Sequence, residues 1–190
     1  MGVKVKRRVG RRGVVGRFAR KQWWAAGAVA GAVVLSAVLV WFKPWALWVD
    51  ETVHEALPSA SNAAPQAAAS PAGPVTLAQG TFISHEHATT GTVKIIRLAD
   101  GTHTLRLEGL DTSSGPDVRV WLSDAPVKEG TEGWRLFDDG QYVNLAKLKA
   151  NKGDQNYPLP ADLDWAKYSS VSIWCDRFDV SFGAAALART

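Results

Sequence analysis

Residues 92–109 read TVKIIRLADGTHTLRLEG. Two apolar runs flank Asp100-Gly101, a dipeptide that tolerates positive φ at both positions and so closes tight β-hairpins. After the turn, Leu105 and Leu107 take one side and Arg106 and Glu108 the other, as in a strand with one buried face and one wet face. Downstream, Gly115-Pro116-Asp117 is a turn, and VRVWLS follows it with Val118, Val120 and Leu122 alternating with Arg119 and Ser123. Trp121 falls on the polar side, which predicts a strand covered on both faces. The strongest strand signal is SVSIWCDRFDVSF, residues 170–182. Trp174, Phe178, Val180 and Phe182 share one parity; Val171, Ile173 and Cys175 share the other. The aromatic set is expected in the main core, with Cys175 opposite, under a loop or in a shallow pocket.

Between these strands, residues 127–140 read as a polar, Gly-rich loop or mobile flap. Tyr142 to Leu148 reads as a short strand or turn anchored by Leu145 and Leu148. GDQNYPLP, residues 153–160, reads as an ordered turn, and DLDWAKY, 162–168, as one helical turn capped by Asp162 or Asp164. Short strands at turn-marked intervals with no βαβ rhythm predict an all-β fold, an antiparallel sandwich or barrel, over residues 79–190.

Charge divides the chain. Residues 1–22 carry nine Lys or Arg and no acid, whereas 79–190 carry twelve bases against fifteen acids. The domain has no basic face, which excludes a nucleic-acid partner. Residues 23–42, WWAAGAVAGAVVLSAVLVWF, hold no charge and are long enough to span a bilayer as a helix, about 30 Å at 1.5 Å per residue. Trp23 and Trp24 flank one end, Trp41, Trp45 and Trp48 the other, as aromatic belts do, and the cations precede the helix. The expectation is a single-pass signal-anchor in the cell membrane, N-terminus cytoplasmic, domain outside, with the basic tail against anionic lipid. A cleaved signal peptide would have a shorter apolar run and a nearer cleavage site. Gly27 and Gly31 form a GxxxG, which lets two helices approach and dimerise; an Ala/Gly-rich helix is the plainer reading.

Residues 43–78 follow as a juxtamembrane stub and linker. DETVHEAL, 50–57, reads as a short helical stub ended by Pro58. PSASNAAPQAAASPAGP, 58–74, has no charge and no large apolar side chain. It reads as a disordered spacer that lifts the domain off the membrane.

Enzyme motifs are missing: there is no GxSxG, GxxxxGK[ST], HExxH or GxGxxG, so a stand-alone enzyme is not expected. With one cysteine, Cys175, neither an internal disulfide nor a paired-Cys metal site can form, and the missing CxxCH excludes covalent c-type haem. Cys175 is a candidate redox thiol if a neighbour lowers its pKa, and otherwise a small core hydrophobe. His85 and His87 form an HxH that, in a strand, offers two imidazoles to one metal, with His103 or Cys175 as a third ligand; a solvated strand edge is the alternative. The polar loop 111–117 could offer oxygens to a hard cation, or be an ordinary turn.

Residues spread over the whole domain carry a resemblance. GPDV at 115–118, WLS at 121–123, GDQNYPLP at 153–160 and IWCDRFDVSFGAAAL at 173–187 occur in this order, with GTF at 80–82 and HATTGTV at 87–93 before them. In these the domain resembles the electron-transfer DM-thirteen domain family. The resemblance implies an extracytoplasmic β-sandwich-like module whose signature cysteine is Cys175. It also implies a redox role for that residue, as a bare thiol or as ligand to a haem-like group. Trp174 and Trp121 would pack there or relay electrons. No second redox module accompanies the domain, so its electron donor or acceptor would be a separate protein. The alternative is a non-catalytic binding or structural module at the cell surface in which Cys175 is core and loop 129–140 holds a ligand.

Overall fold

The computed structural model describes residues 29–41, 49–58 and 73–190. The chain divides into two compact units, Met1–Pro44 and Trp45–Thr190. In the first, 29–41 is helical, and its apolar side chains from Val29 to Trp41 are exposed. Among the described residues no helix is long and apolar enough to cross a membrane. Part of the expected membrane helix (23–28 and 42), the basic tail, Gly27 of the GxxxG and residues 59–72 of the linker lie outside the described residues.

The second unit is all-β. Its strands are β1 (Thr52–His54), β2 (Val75–Ser84), β3 (Thr90–Arg97), β4 (His103–Asp111), β5 (Val118–Ser123), β6 (Tyr142–Lys147), β7 (Lys152–Pro158), β8 (Ser170–Cys175), β9 (Val180–Ala186) and β10 (Ala188–Arg189). They form one sheet in the order β1-β7-β4-β3-β2-β9-β8-β5-β6, with β10 also on β2. Pairings are antiparallel except β1 on β7, which is parallel.

β2 is where the sheet turns over: residues 75–81 pair with β3, and 82–84 with β9. The sheet therefore curls on itself. Val93, Ile95, Leu105 and Leu107 from one half share an apolar cluster with Val120, Leu122, Val171 and Ile173 from the other, all fully buried. Each such side chain contributes about 1.5–3 kcal/mol of burial.

The expected hairpin is β3–β4. Leu98 and Thr102 close it, with the Leu98 N–H donating to the Thr102 carbonyl at 2.8 Å. Gly101 takes φ 84°, a conformation open to glycine at no steric cost. Leu105 and Leu107 point inward as the alternation predicts. β5 is indeed covered twice: a second cluster of Trp121, Ala125, Phe137, Trp174 and Ala184 lies on the other face of its half-sheet. Segment 124–141, which includes a 3-10 turn at Thr131–Gly133, supplies that cover.

Four expectations are corrected. First, SVSIWCDRFDVSF is two strands, β8 and β9, joined through residues 176–179 with Asp179 at φ 49°. A register shift follows Ile173, so Trp174 pairs with Ser181 while Ile173 pairs with Gly183, and Phe182 is the extra residue. The four-residue turn sets Cys175 opposite Val180, and so on the same face, and this splits the aromatic set. Phe182 joins the main core together with Cys175, Trp174 enters the second cluster, and Phe178 at the turn is exposed. Second, most of GDQNYPLP is strand β7. Third, DETVHEAL is no helical stub: Thr52 and Val53, both β-branched and suited to strands, extend along β7. Fourth, DLDWAKY makes a 3-10 turn at Trp165–Lys167, with Asp164 at its N-cap giving no side-chain hydrogen bond.

The sheet also begins upstream of Gln79. Ala78 is core, and Val75, Thr76 and Ala78 pair with β3. Because β1 precedes it, the Ala/Pro/Ser segment joins two strands of one sheet.

Candidate functional site

Parts of three family-like motifs, GPDV, HATTGTV and IWCDRFDVSF, meet at one end of the curled sheet. Cys175 is flanked by Val118 on β5 and Val180 on β9 and is fully buried. The Gly115 turn closes over it: a Cβ at Gly115 would crowd Val118 Cγ2 at 2.7 Å and Phe182 Cζ at 2.9 Å. The His87 ring lies 4.0 Å from the Phe182 ring, tilted by 55°. Thr89 fastens the corner, its hydroxyl 2.8 Å from that of Thr112 and 3.0 Å from the Phe182 carbonyl. Burial pushes the Cys175 thiol above its ordinary value; backbone N–H groups of Arg177, Phe178 and Asp117 pull it down but do not win, and the Glu86 charge adds to the rise. Nucleophilic and ligand chemistry needs the thiolate, so at neutral pH this is a protonated thiol in an apolar core.

On the other face of the same strands is a column of rings. Tyr142, at the start of β6, lies over Trp121 with centroids 4.1 Å apart and planes 6° apart. Trp121 stacks on Trp174 at 4.8 Å and 22°, and Phe137 meets Trp174 edge-on at 6.4 Å. Tyr142 is 44% exposed, Trp121 3% and Trp174 0%, so the column runs from solvent to full burial. Both indole Nε1–H groups are buried without a hydrogen-bond partner. Asp117 Oδ1 and Arg119 Nε also lack hydrogen bonds, but those two have ion-pair partners, Lys147 at 3.3 Å and Asp176 at 3.4 Å. Leaving a donor unmet costs about 1–3 kcal/mol, so the two indoles are held in a place that favours their rings over their N–H groups.

The histidines are apart. β2 ends at Ser84, so the alternate-face rule does not reach His85 and His87. His85 turns inward between Ser181 Oγ at 2.9 Å and the Lys128 carbonyl at 3.1 Å. A neutral ring suits both: Nε2–H donates to the carbonyl, and Nδ1 accepts from Ser181, whose oxygen in turn accepts from Ser172 at 3.0 Å. Burial depresses the His85 pKa, against a smaller opposing effect of the Lys128 carbonyl. His103 faces Trp165 at 6.4 Å. Among the described residues no three His, Cys, Asp or Glu side chains gather as metal ligands. In the loop 111–117, Asp111 pairs with Lys152, and Asp117 with Arg119 and Lys147.

His85 gives a pH test. Its folded pKa lies below the unfolded value near 6.5, so the unfolded chain takes up the proton first. Its contribution to stability is present above pH 6.5 and is lost as pH falls toward the folded pKa. Denaturant titrations at about pH 7.5 and 5.5 should show stability falling on acidification, and His85→Gln should flatten that fall. An unchanged slope in the variant would contradict the assignment.

Sequence reasoning found Trp121 and Trp174 but not Tyr142 or Phe137. Trp121's place on the polar parity was the one signal that something covers it.

A model of the family described as Electron transfer DM13 matches residues 81–187. No curated protein and no solved structure matches the chain.

Proposed function

Since the chain belongs to the Electron transfer DM13 family, we propose that it is a membrane-anchored, extracytoplasmic electron-transfer domain whose electron path is the column Tyr142–Trp121–Trp174, ending beside Cys175. The observation that carries this reading is the pair of stacked, buried indoles with unpartnered N–H groups. Stacked π faces overlap, and overlap permits electron exchange between rings. An oxidised indole normally loses its N–H proton to a hydrogen-bonded acceptor. With no acceptor in place the electron moves alone, and the ring returns to its starting state when the electron is replaced. At the outer end the exposed Tyr142 phenol can give its proton to water as it gives its electron to a one-electron carrier. Cys175 stays protonated in the main core on the opposite face of β8 from the inner ring, so the reading moves the redox centre from the thiol to the rings. Membrane anchoring rests on the helix of apolar residues exposed around its circumference and on the cations that precede it.

A near-ultraviolet flash that photo-ionises indole tests the path. Tyrosyl radical absorption should grow as the indole radical decays, and Tyr142→Phe should remove most of that growth. Unchanged growth in the variant would refute the column. For the anchor, alkaline carbonate should leave the full chain in the membrane pellet; release into the supernatant would refute it.

The burial of Cys175 in the main core also favours a second reading, a non-catalytic binding or structural module. In that case Tyr142→Phe changes nothing photochemically.

A further inference from the structure

The edge of β7 is occupied by the chain's own residues 49–56, which lie outside the family match at 81–187. Only three residue pairs form the parallel ladder. No side chain of this segment is fully buried, so apolar packing does not hold it. What holds it is two carboxylate clamps and a set of amide contacts. Glu55 takes the Lys149 ammonium at 2.7 and 2.9 Å and the Asn156 backbone N–H at 2.7 Å. Asp50 takes the Asn151 amide at 2.8 Å and Lys152 at 3.0 Å. The segment's backbone is read as well. Asn151 Oδ1 accepts the Glu51 N–H at 2.7 Å, Arg106 donates to the Glu55 carbonyl at 3.0 Å, and Asn156 Nδ2 donates to the Ala56 carbonyl at 2.9 Å.

The acceptor side is shaped for this strand. A Cβ at Gly153 would overlap the Val53 carbonyl oxygen, so glycine leaves the notch in which the incoming backbone lies. Gly153 and Asn156 both belong to the GDQNY motif, and so a motif of the matched domain serves to receive a segment from outside it. Exposed ion pairs are individually weak and screened by salt, and a ladder this short adds little. Edge segments held in this way belong to the low-stability end of a fold, where local opening leaves the rest of the sheet intact.

From this we infer that the β7 edge is an exchangeable strand-acceptor site. Its ligand class is an extended acidic peptide that runs parallel to β7 and carries two carboxylates spaced as Asp50 and Glu55 are. Residues 49–56 are its resident ligand, and the same sequence in trans is a competent occupant. This mode of recognition, backbone pairing for affinity and side-chain contacts for choice, is strand addition to a sheet edge.

The probe is a fluorescent peptide of residues 49–57, VDETVHEAL, offered to the full chain in detergent. In Glu55→Lys the resident segment faces Lys149 with like charge and vacates the site, so the peptide should bind at least ten-fold tighter than to the native chain. Lys149→Glu also vacates the site but spoils the acceptor, so it should bind the peptide at least ten-fold more weakly than Glu55→Lys does. A peptide carrying Glu55→Lys should reverse the order of the two variants. Asp50→Lys, acting through the other clamp, repeats the test if Glu55→Lys fails to fold. No peptide binding to the vacated chain, or equal binding to Glu55→Lys and Lys149→Glu, overturns the proposal.

Discussion

Iodoacetamide should leave Cys175 unmodified in the folded protein, with alkylation beginning only in the unfolding transition. The thiol is fully buried in the main core, its pKa is raised, and the reagent needs an accessible thiolate. Access then requires opening of the sheet, which for a domain of ordinary stability costs about 5–15 kcal/mol. Native labelling should therefore run at least roughly a thousand-fold slower than in denaturant, since each 1.4 kcal/mol is about a factor of ten. As the chain's one cysteine, Cys175 gives the assay a single signal. Cys175→Ser should fold but lose about 1–3 kcal/mol, the cost of a buried hydroxyl whose hydrogen bonding is incomplete. Stoichiometric labelling of native protein would restore the thiol as the reactive centre and displace the ring column from that role.

Trp174 should show a large difference between two substitutions. Trp174→Ala removes a side chain that is fully buried between Trp121 and Phe137 and should cost about 3–5 kcal/mol. At that cost a marginally stable domain melts far earlier or fails to accumulate. Trp174→Phe keeps a ring in the stack and deletes the unpartnered N–H. The relief of that buried donor offsets part of the lost volume, so this variant should cost less than half as much as Trp174→Ala by chemical denaturation. It should also lower the tyrosyl radical yield after an indole-ionising flash, because a phenyl ring is much harder to oxidise than an indole. A Trp174→Phe protein as unstable as Trp174→Ala would mean that the N–H is satisfied, which would remove the premise of the column.

What could be read from the sequence was whatever apolar alternation and turn chemistry write into it. The β3–β4 hairpin was legible because Leu105 and Leu107 alternate with Arg106 and Glu108 beside an Asp-Gly turn. Strand β7 was hidden because its partners are polar: Asn156 and Lys149 grip another segment, so GDQNY shows no apolar period and looks like a turn. The turn at 176–179 inside an apparently continuous strand could not be seen either. Period-two reasoning carries parity unbroken along a stretch, whereas the turn places Cys175 and Val180 directly opposite each other, which puts their side chains on one face. That is why Cys175 and Phe182 share the main core while Trp174 faces away. Trp121 and Trp174 were named as candidates for packing or relay, but their column needs Tyr142 from a different strand and Phe137 from a loop, and no spacing rule links them. The alternate-face argument for the histidine pair does not apply, because β2 stops at Ser84, one residue before it.

The pairing of β1 with β7 also has a mechanical meaning. Tension applied to the chain from its N-terminal side reaches β1 before any other strand. β1 is an edge strand of three residues held by a few hydrogen bonds and two salt-sensitive clamps, whereas β2 is bonded along its length to β3, β9 and β10. The edge strand therefore yields first. On yielding it frees residues 52–74, roughly 75 Å of extended chain at about 3.3 Å per residue, before any load reaches the core. The segment behaves as a fuse with slack behind it, and a pulling experiment should record one short, low-force extension ahead of the main unfolding event.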